Sequence, residues 1–276
     1  MRTRVLTAIV MVAAMVPFFI FSHTVAFPIL MAFLGAVGVY EMQGCIGTKK
    51  HLFASIPAVL VAAGLPFLAR YGSSETVFDY LFPIAFGLIA LELIVSVFSG
   101  EAFGVESAAL SGATGVYIAF GFAAVVMLRD LSYGQYIYFL TFIIPWVTDT
   151  FAYFSGRLFG KHKLIPAVSP KKTVEGSIGG TLFAVILTVL YGFVIGQVSE
   201  AAPNYIALAV VALVVSLLSQ CGDLVMSLVK RRFGIKDYGK LFPGHGGVLD
   251  RFDSVVVTAP TLYFLITLVP HFHLFS

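Results

Sequence analysis

The run SLVKRRFGIKDYGKLFPGHGGVLDRFD, Ser227–Asp253, decides how the chain is read. It holds Lys230, Arg231, Arg232, Lys236, Lys240 and Arg251 beside Asp237, Asp250 and Asp253. Apolar sequence able to cross a bilayer lies on both sides. So dense a set of charges between two such segments marks a polar loop tied to a membrane surface. Its mixture of cations, acids and glycines suits a phosphate-bearing ligand.

Working outward, hydrophobic residues make up 59% of the 276 positions and charged residues 11%, with a mean hydropathy of +0.97. Soluble domains carry about 25% charged residues, so this chain cannot cover a water-facing surface. It is expected to be an all-α, polytopic integral membrane protein forming one membrane domain, 1–276, with 1–134 lacking a motif and 135–276 holding the chemistry. The two cysteines, Cys45 and Cys221, fall in or beside apolar segments without metal-ligand spacing. They read as packing residues.

Nine apolar segments are legible, at 4–22, 25–42, 52–69, 78–98, 107–127, 135–155, 177–197, 204–229 and 252–270. Each approaches the ~30 Å of a hydrocarbon core as a helix. They are continuously apolar and lack the alternation of a membrane barrel. The first reads as a retained helix, because VAFPIL enters the next span without a small-x-small cleavage site. With the N-terminus in the cytoplasm, every Lys and Arg except Arg70 and Arg129 falls on the cytoplasmic side, as the positive-inside rule requires. The loop SGEAFGVE is cytoplasmic in this scheme yet carries no cation.

Along 204–229, Ser216, Gln220, Asp223, Ser227 and Lys230 recur at steps of three and four, which puts them on one helical face. An interhelical hydrogen-bond seam accounts for Ser216 and Gln220. It does not account for Asp223, because a carboxylate inside a span costs at least ~2.5 kcal/mol unless it meets a partner or water. Asp250 and Asp253 share a face at the start of the last span. A helix N-terminus favours acids, which explains one of them. Together with Asp223 they are expected to converge as hard oxygen ligands of the kind that suit Mg²⁺.

FPGHGG, 242–247, is a turn-rich loop whose amides at Gly246 and Gly247 can approach phosphate. Lys236 and Arg251 flank it, and His245 is either an acid and hydrogen-bond donor or an ordinary loop histidine. In AVSPKKTVEGSIGG, Ser169, Lys171, Lys172 and Thr173 are a second candidate phosphate contact. The lysines could equally serve as topology signals or lipid contacts. Asp149 is an intramembrane acid on one face with Tyr153 and Arg157. Glu41 and Glu92 also lie in or near spans, with no chemistry attached. GxxxxGK[ST], HExxH and GxSxG are all missing from the sequence, which disfavours a P-loop nucleotidase, a zinc protease and a serine lipase.

The pattern Ser227-x₂-Lys230-Arg231-x₄-Lys236-Asp237-x-Gly239-x₂-Phe242-Pro243-x-His245-Gly246-Gly247-x₂-Asp250-Arg251-x-Asp253 resembles the defining motif of the bacterial phosphatidate cytidylyltransferases. Gly222-Asp223, Ser169-Pro170-Lys171-Lys172-Thr173-x-Glu175-Gly176 and Trp146-x₂-Asp149-Thr150-x-Ala152-Tyr153-x₂-Gly156 agree with it. The resemblance covers about 140–260. It implies transfer of the cytidylyl group of CTP to phosphatidic acid, giving CDP-diacylglycerol and pyrophosphate with Mg²⁺. It further implies that Asp223 and Asp250 hold metal and that Lys172 contacts phosphate. The implied setting is a cytoplasmic membrane, with the site on its cytoplasmic face and membrane lipids around it. Nucleic acid has no place in this reading, and the resemblance suggests a dimer. The number of metal ions and the presence of a second, monovalent ion stay open. A CTP-using polyprenol kinase or a synthase acting on an isoprenoid lipid phosphate, and an ion-coupled transporter, are the rival readings.

Overall fold

The computed structural model describes residues 10, 13–99 and 103–276, Ser74 by its backbone alone. Helix α1 is described over 13–20. It is followed by α2 (Ala26–Ile46), a 3₁₀ turn (Thr48–Lys50), α3 (Leu52–Tyr71), α4 (Ser74–Ser99) and α5 (Val105–Arg129). Then come α6 (Gly134–Ile137), α7 (Leu140–Phe159), strands β1 (Lys163–Ile165) and β2 (Ser169–Thr173), α8 (Val174–Val198), α9 (Tyr205–Arg232) and α10 (Leu249–Leu268). Among the described residues eight helices are long and apolar enough to cross a membrane. They match the second to ninth expected spans, whereas the first, 4–22, falls partly outside the described residues, at 4–9, 11 and 12. Their outer surfaces are apolar: Phe53 is 84% exposed and Phe98 87%, the reverse of a soluble surface and what a lipid solvent permits. Prolines inside α3, α4, α7 and α10 are of a kind that membrane helices accommodate.

The chain forms two compact units, 1–127 with 232–252 and 128–231 with 253–276. The first unit contains α1–α5 and the glycine-rich loop. Its core includes Phe27, Met31, Met42, Ile118 and Phe122, and the Phe122 ring meets Phe252 at 6.0 Å between centroids. Leu249 packs toward α2, where a Cβ at Gly38 would stand 3.1 Å from its Cδ2. A buried polar string crosses this unit: Ser111 Oγ donates to Glu92 Oε1 at 3.1 Å and lies 3.4 Å from Thr48 Oγ1. It gives the intramembrane Glu92 a partner.

The second unit is organised by close packing of α7 against α8. A Cβ at Gly176 would meet the Ala152 carbonyl at 2.7 Å, and one at Gly180 the Thr148 carbonyl at 2.5 Å. Glycines four apart let two membrane helices approach at backbone contact. Helix α9 joins them through a polar seam. Thr148 Oγ1 and Ser216 Oγ are 2.8 Å apart, Ser216 Oγ donates to Thr181 Oγ1 at 3.1 Å, and Gln220 Nε2 donates to the same oxygen at 3.0 Å. The expected hydrogen-bond role of Ser216 and Gln220 is thus met. The C-terminal tail pairs with the approach to α9, where Ala202 and Ser276 exchange backbone hydrogen bonds at 2.8 and 3.0 Å.

Candidate active site

Helix α9 has 28 residues and is therefore ~42 Å long, exceeding the ~30 Å of the hydrocarbon core. Asp223 lies ~27 Å from Tyr205 along this axis, at the level where the core ends if the helix begins at the opposite boundary. One turn beyond Gln220, the seam changes from neutral hydrogen bonds to charge. The Asp223 carboxylate there forms an ion pair with Lys172 Nζ, and both side chains are about three-quarters buried.

Lys172 arrives on a β-hairpin that the sequence reading did not foresee. Strands β1 and β2 pair antiparallel with Lys163 opposite Thr173 and Ile165 opposite Ser169. In β2, Lys171 is exposed, Lys172 largely buried and Thr173 buried, so the two lysines are set in different surroundings. Thr173 ends the strand and starts α8: its Oγ1 accepts the Gly176 N–H at 3.1 Å as an N-cap. Glu175, in the first turn, accepts the backbone N–H groups of Lys161 and His162 and lies 2.6 Å from His162 Nδ1. Helix cap and hairpin are therefore fixed together, and Lys172 with them.

Asp253, on α10, is in hydrogen-bonding contact with Asp223 and within the electrostatic reach of Lys230. Two carboxylates in contact repel unless a proton or cation lies with them. Asp149, on α7, is close enough to Lys172 and Asp223 to interact with both electrostatically. It lines a cavity of about 270 Å³ with Tyr153, Arg157, Lys171, Lys172 and Gln220. Of the expected site residues, Asp149, Lys171, Lys172, Thr173, Asp223, Lys230 and Asp253 thus gather in the second unit. Ser169 stands at the start of β2 and Arg231 is exposed at the end of α9.

The remaining expected residues belong to the first unit. Lys236, Asp237, Lys240, His245, Gly246 and Arg251 line a cavity of about 520 Å³. The turn is tight: Phe242 N–H donates to the Gly246 carbonyl at 2.9 Å and His245 N–H to the Phe242 carbonyl at 2.8 Å. Gly246 has φ +85°, a conformation that glycine adopts without strain. Asp250 Oδ2 accepts the N–H groups of Tyr238 at 2.8 Å and Gly247 at 3.0 Å. Arg251 Nε donates to the His245 carbonyl at 2.8 Å. The loop presents cations around a cavity, braced by its own acid. One contributor comes from outside the motif: Glu41, on α2, accepts the N–H groups of Val248 and Leu249 at 3.0 Å each. Its only signal in the sequence is an acid within an apolar span.

Among the described residues no group of three His, Cys, Asp or Glu side chains is arranged to hold a metal ion. The Asp223–Asp253 pair nevertheless fits Mg²⁺, which is usually held by one or two carboxylates with waters and substrate phosphates completing the shell.

The sequence profile of the cytidylyltransferase family matches residues 2–269, and the chain belongs to this family. It is 34% identical to the phosphatidate cytidylyltransferase of Bacillus subtilis over 97% of this chain and 98% of the relative. It is 36% identical to the Staphylococcus aureus protein of the same name over 96% of this chain and 99% of that one. The likeness extends well beyond 140–260, into the apolar N-terminal helices.

Proposed function

We propose that the protein transfers the cytidylyl group of CTP to phosphatidic acid, giving CDP-diacylglycerol and pyrophosphate, in a Mg²⁺-dependent reaction at the cytoplasmic face of the membrane. The observation that carries this reading is the Lys172–Asp223 pair with Asp253 in contact, beside a cavity bounded by further cations, in a chain of this family. The distribution of Lys and Arg supports the cytoplasmic placement.

A phosphate oxygen of the lipid forms the new bond to the α-phosphorus of CTP. The bond from that phosphorus to the bridging oxygen breaks, and its electrons leave with pyrophosphate. Both reactants are anions, so positioning and charge neutralisation dominate the barrier. Lys172, held by its ion pair and by the capped hairpin, presents a fixed ammonium to phosphate oxygens. Lys171 and Arg157 add exposed charge at the cavity wall. Asp223 and Asp253 would hold Mg²⁺, which when bound neutralises developing negative charge on phosphate oxygens. Phosphatidic acid already presents an ionised oxygen, so no strong general base is required of the chain. Lys236, Lys240 and Arg251 are proposed phosphate contacts around the 520 Å³ cavity, His245 a hydrogen-bond donor there, and Asp250 a cation ligand of the glycine loop.

The test is to incubate purified protein with CTP, Mg²⁺ and phosphatidic acid and to identify the lipid product. CDP-diacylglycerol with stoichiometric pyrophosphate is expected. A lipid monophosphate, or no product beside an active control enzyme, would sink the proposal.

A further inference from the structure

Helix α10 begins at Leu249, and its first N–H groups have no partner within the helix. Val248 and Leu249 are fully buried, so water does not satisfy them. Glu41, 5% exposed, does: Oε1 accepts from Val248 and Oε2 from Leu249, both at 3.0 Å, across more than 200 residues of sequence. A carboxylate placed on two N–H groups at a helix N-terminus gains both hydrogen bonds and the favourable end of the helix dipole. The same carboxylate fills the space behind the loop. A Cβ at Gly239 or at Gly247 would fall directly on the Glu41 carboxyl group. Asp250 fixes the loop from within, through Tyr238 and Gly247. Gly247 is thus held between two acids, one from the motif and one from α2.

We propose that Glu41 is a positioning residue of the reaction, setting the Gly239–Leu249 loop so that Lys236, Lys240 and Arg251 meet phosphate in a fixed arrangement. The proposal rests on the cytidylyltransferase activity proposed above. It assigns a role to the N-terminal helices, which carry no motif. Both carboxylate oxygens are needed. Glu41→Gln keeps shape and volume but exchanges one acceptor for a donor that faces a backbone N–H, orphaning it.

The test uses the full chain in detergent, with inorganic pyrophosphate as an anion probe in titration calorimetry, and separately measures CDP-lipid formation against CTP and phosphatidic acid. Glu41→Gln is expected to weaken pyrophosphate binding and raise KM for CTP, each by about tenfold or more, since small misplacements of a positioned group cost up to about 10²-fold. KM for phosphatidic acid should not move. Equal pyrophosphate affinity in the two proteins, or none in the wild type, overturns the proposal. So does a loss of turnover with both KM values unchanged, which marks a smaller folded fraction. A wild type without cytidylyltransferase activity but with the difference in pyrophosphate binding defeats the proposed reaction and leaves the positioning role standing. If Glu41→Gln does not fold, Glu41→Asp, one methylene shorter, is judged by the same criteria.

Discussion

Lys172 and Asp223 form an ion pair between a surface hairpin and a membrane helix. The strand supplies the cation and α9 the acid. Neither charge is tolerable at that depth alone: removing one partner of a buried pair leaves an uncompensated charge, at a cost of about 3–5 kcal/mol in fully buried cases. The side chains here retain about a quarter of their exposure, so the cost is smaller but of the same sign. In the proposed reaction, a substrate phosphate entering beside Lys172 would meet an ammonium whose position is already set by this pair.

Asp223→Asn should therefore reduce CDP-lipid formation by about 10²–10³-fold, the range for loss of one preorganised electrostatic group. Insertion into the membrane should be retained, as judged by fractionation and detergent extraction. Wild-type turnover in this variant would remove Asp223 from the site.

The two lysines of β2 should separate. Lys172→Gln is expected to lose about 10²-fold in kcat/KM, whereas exposed Lys171→Gln should lose less than about tenfold, because salt screens exposed charges. Repeating both assays at high ionic strength checks the assignment: the Lys171 effect should shrink and the Lys172 effect persist. Equal losses would contradict the difference in surroundings seen along the strand.

Asp253→Asn should raise the Mg²⁺ concentration required for half-maximal turnover by at least about tenfold, the loss found when even an outer partner of a metal ligand is removed. Titration of Mg²⁺ into chelator-treated enzyme measures this directly. An unchanged titration curve would assign Asp253 a structural part only.

Gly246→Ala places a methyl group at φ +85°, 2.7 Å from Asp250 Oδ2. The left-handed conformation alone costs about 1–2 kcal/mol for an L-residue, and the collision also displaces the acid that holds Tyr238 and Gly247. A lower melting temperature in detergent, with reduced kcat/KM for CTP, is expected. Unaltered values for both would show that the loop tolerates a different turn.

Ser216→Ala is the contrasting case. It removes one member of the Thr148–Ser216–Thr181 seam, where membrane hydrogen bonds average about 0.6 kcal/mol. Activity should stay within about twofold, measured in the same lipid-product assay. A large loss would mean that the seam takes part in the chemistry.

The sequence by itself determined the class of protein, most of the membrane spans and the polar face of α9. These follow from local quantities: apolar length against bilayer thickness, and the three-to-four-residue step that puts Ser216, Gln220 and Asp223 on one side. The cations and glycines of 236–251 were legible for the same reason, as neighbours along the chain. What tertiary structure alone decided is which distant groups meet. Nothing local pairs Lys172 with Asp223, forms the hairpin from the short segments around Val168, or brings Glu41 to the N–H groups of Val248 and Leu249. Glu41 looked like a stray acid in an apolar span because its partners are backbone groups, which no side-chain pattern reveals. Their need for a partner arises only once α10 begins there and its first turn is buried.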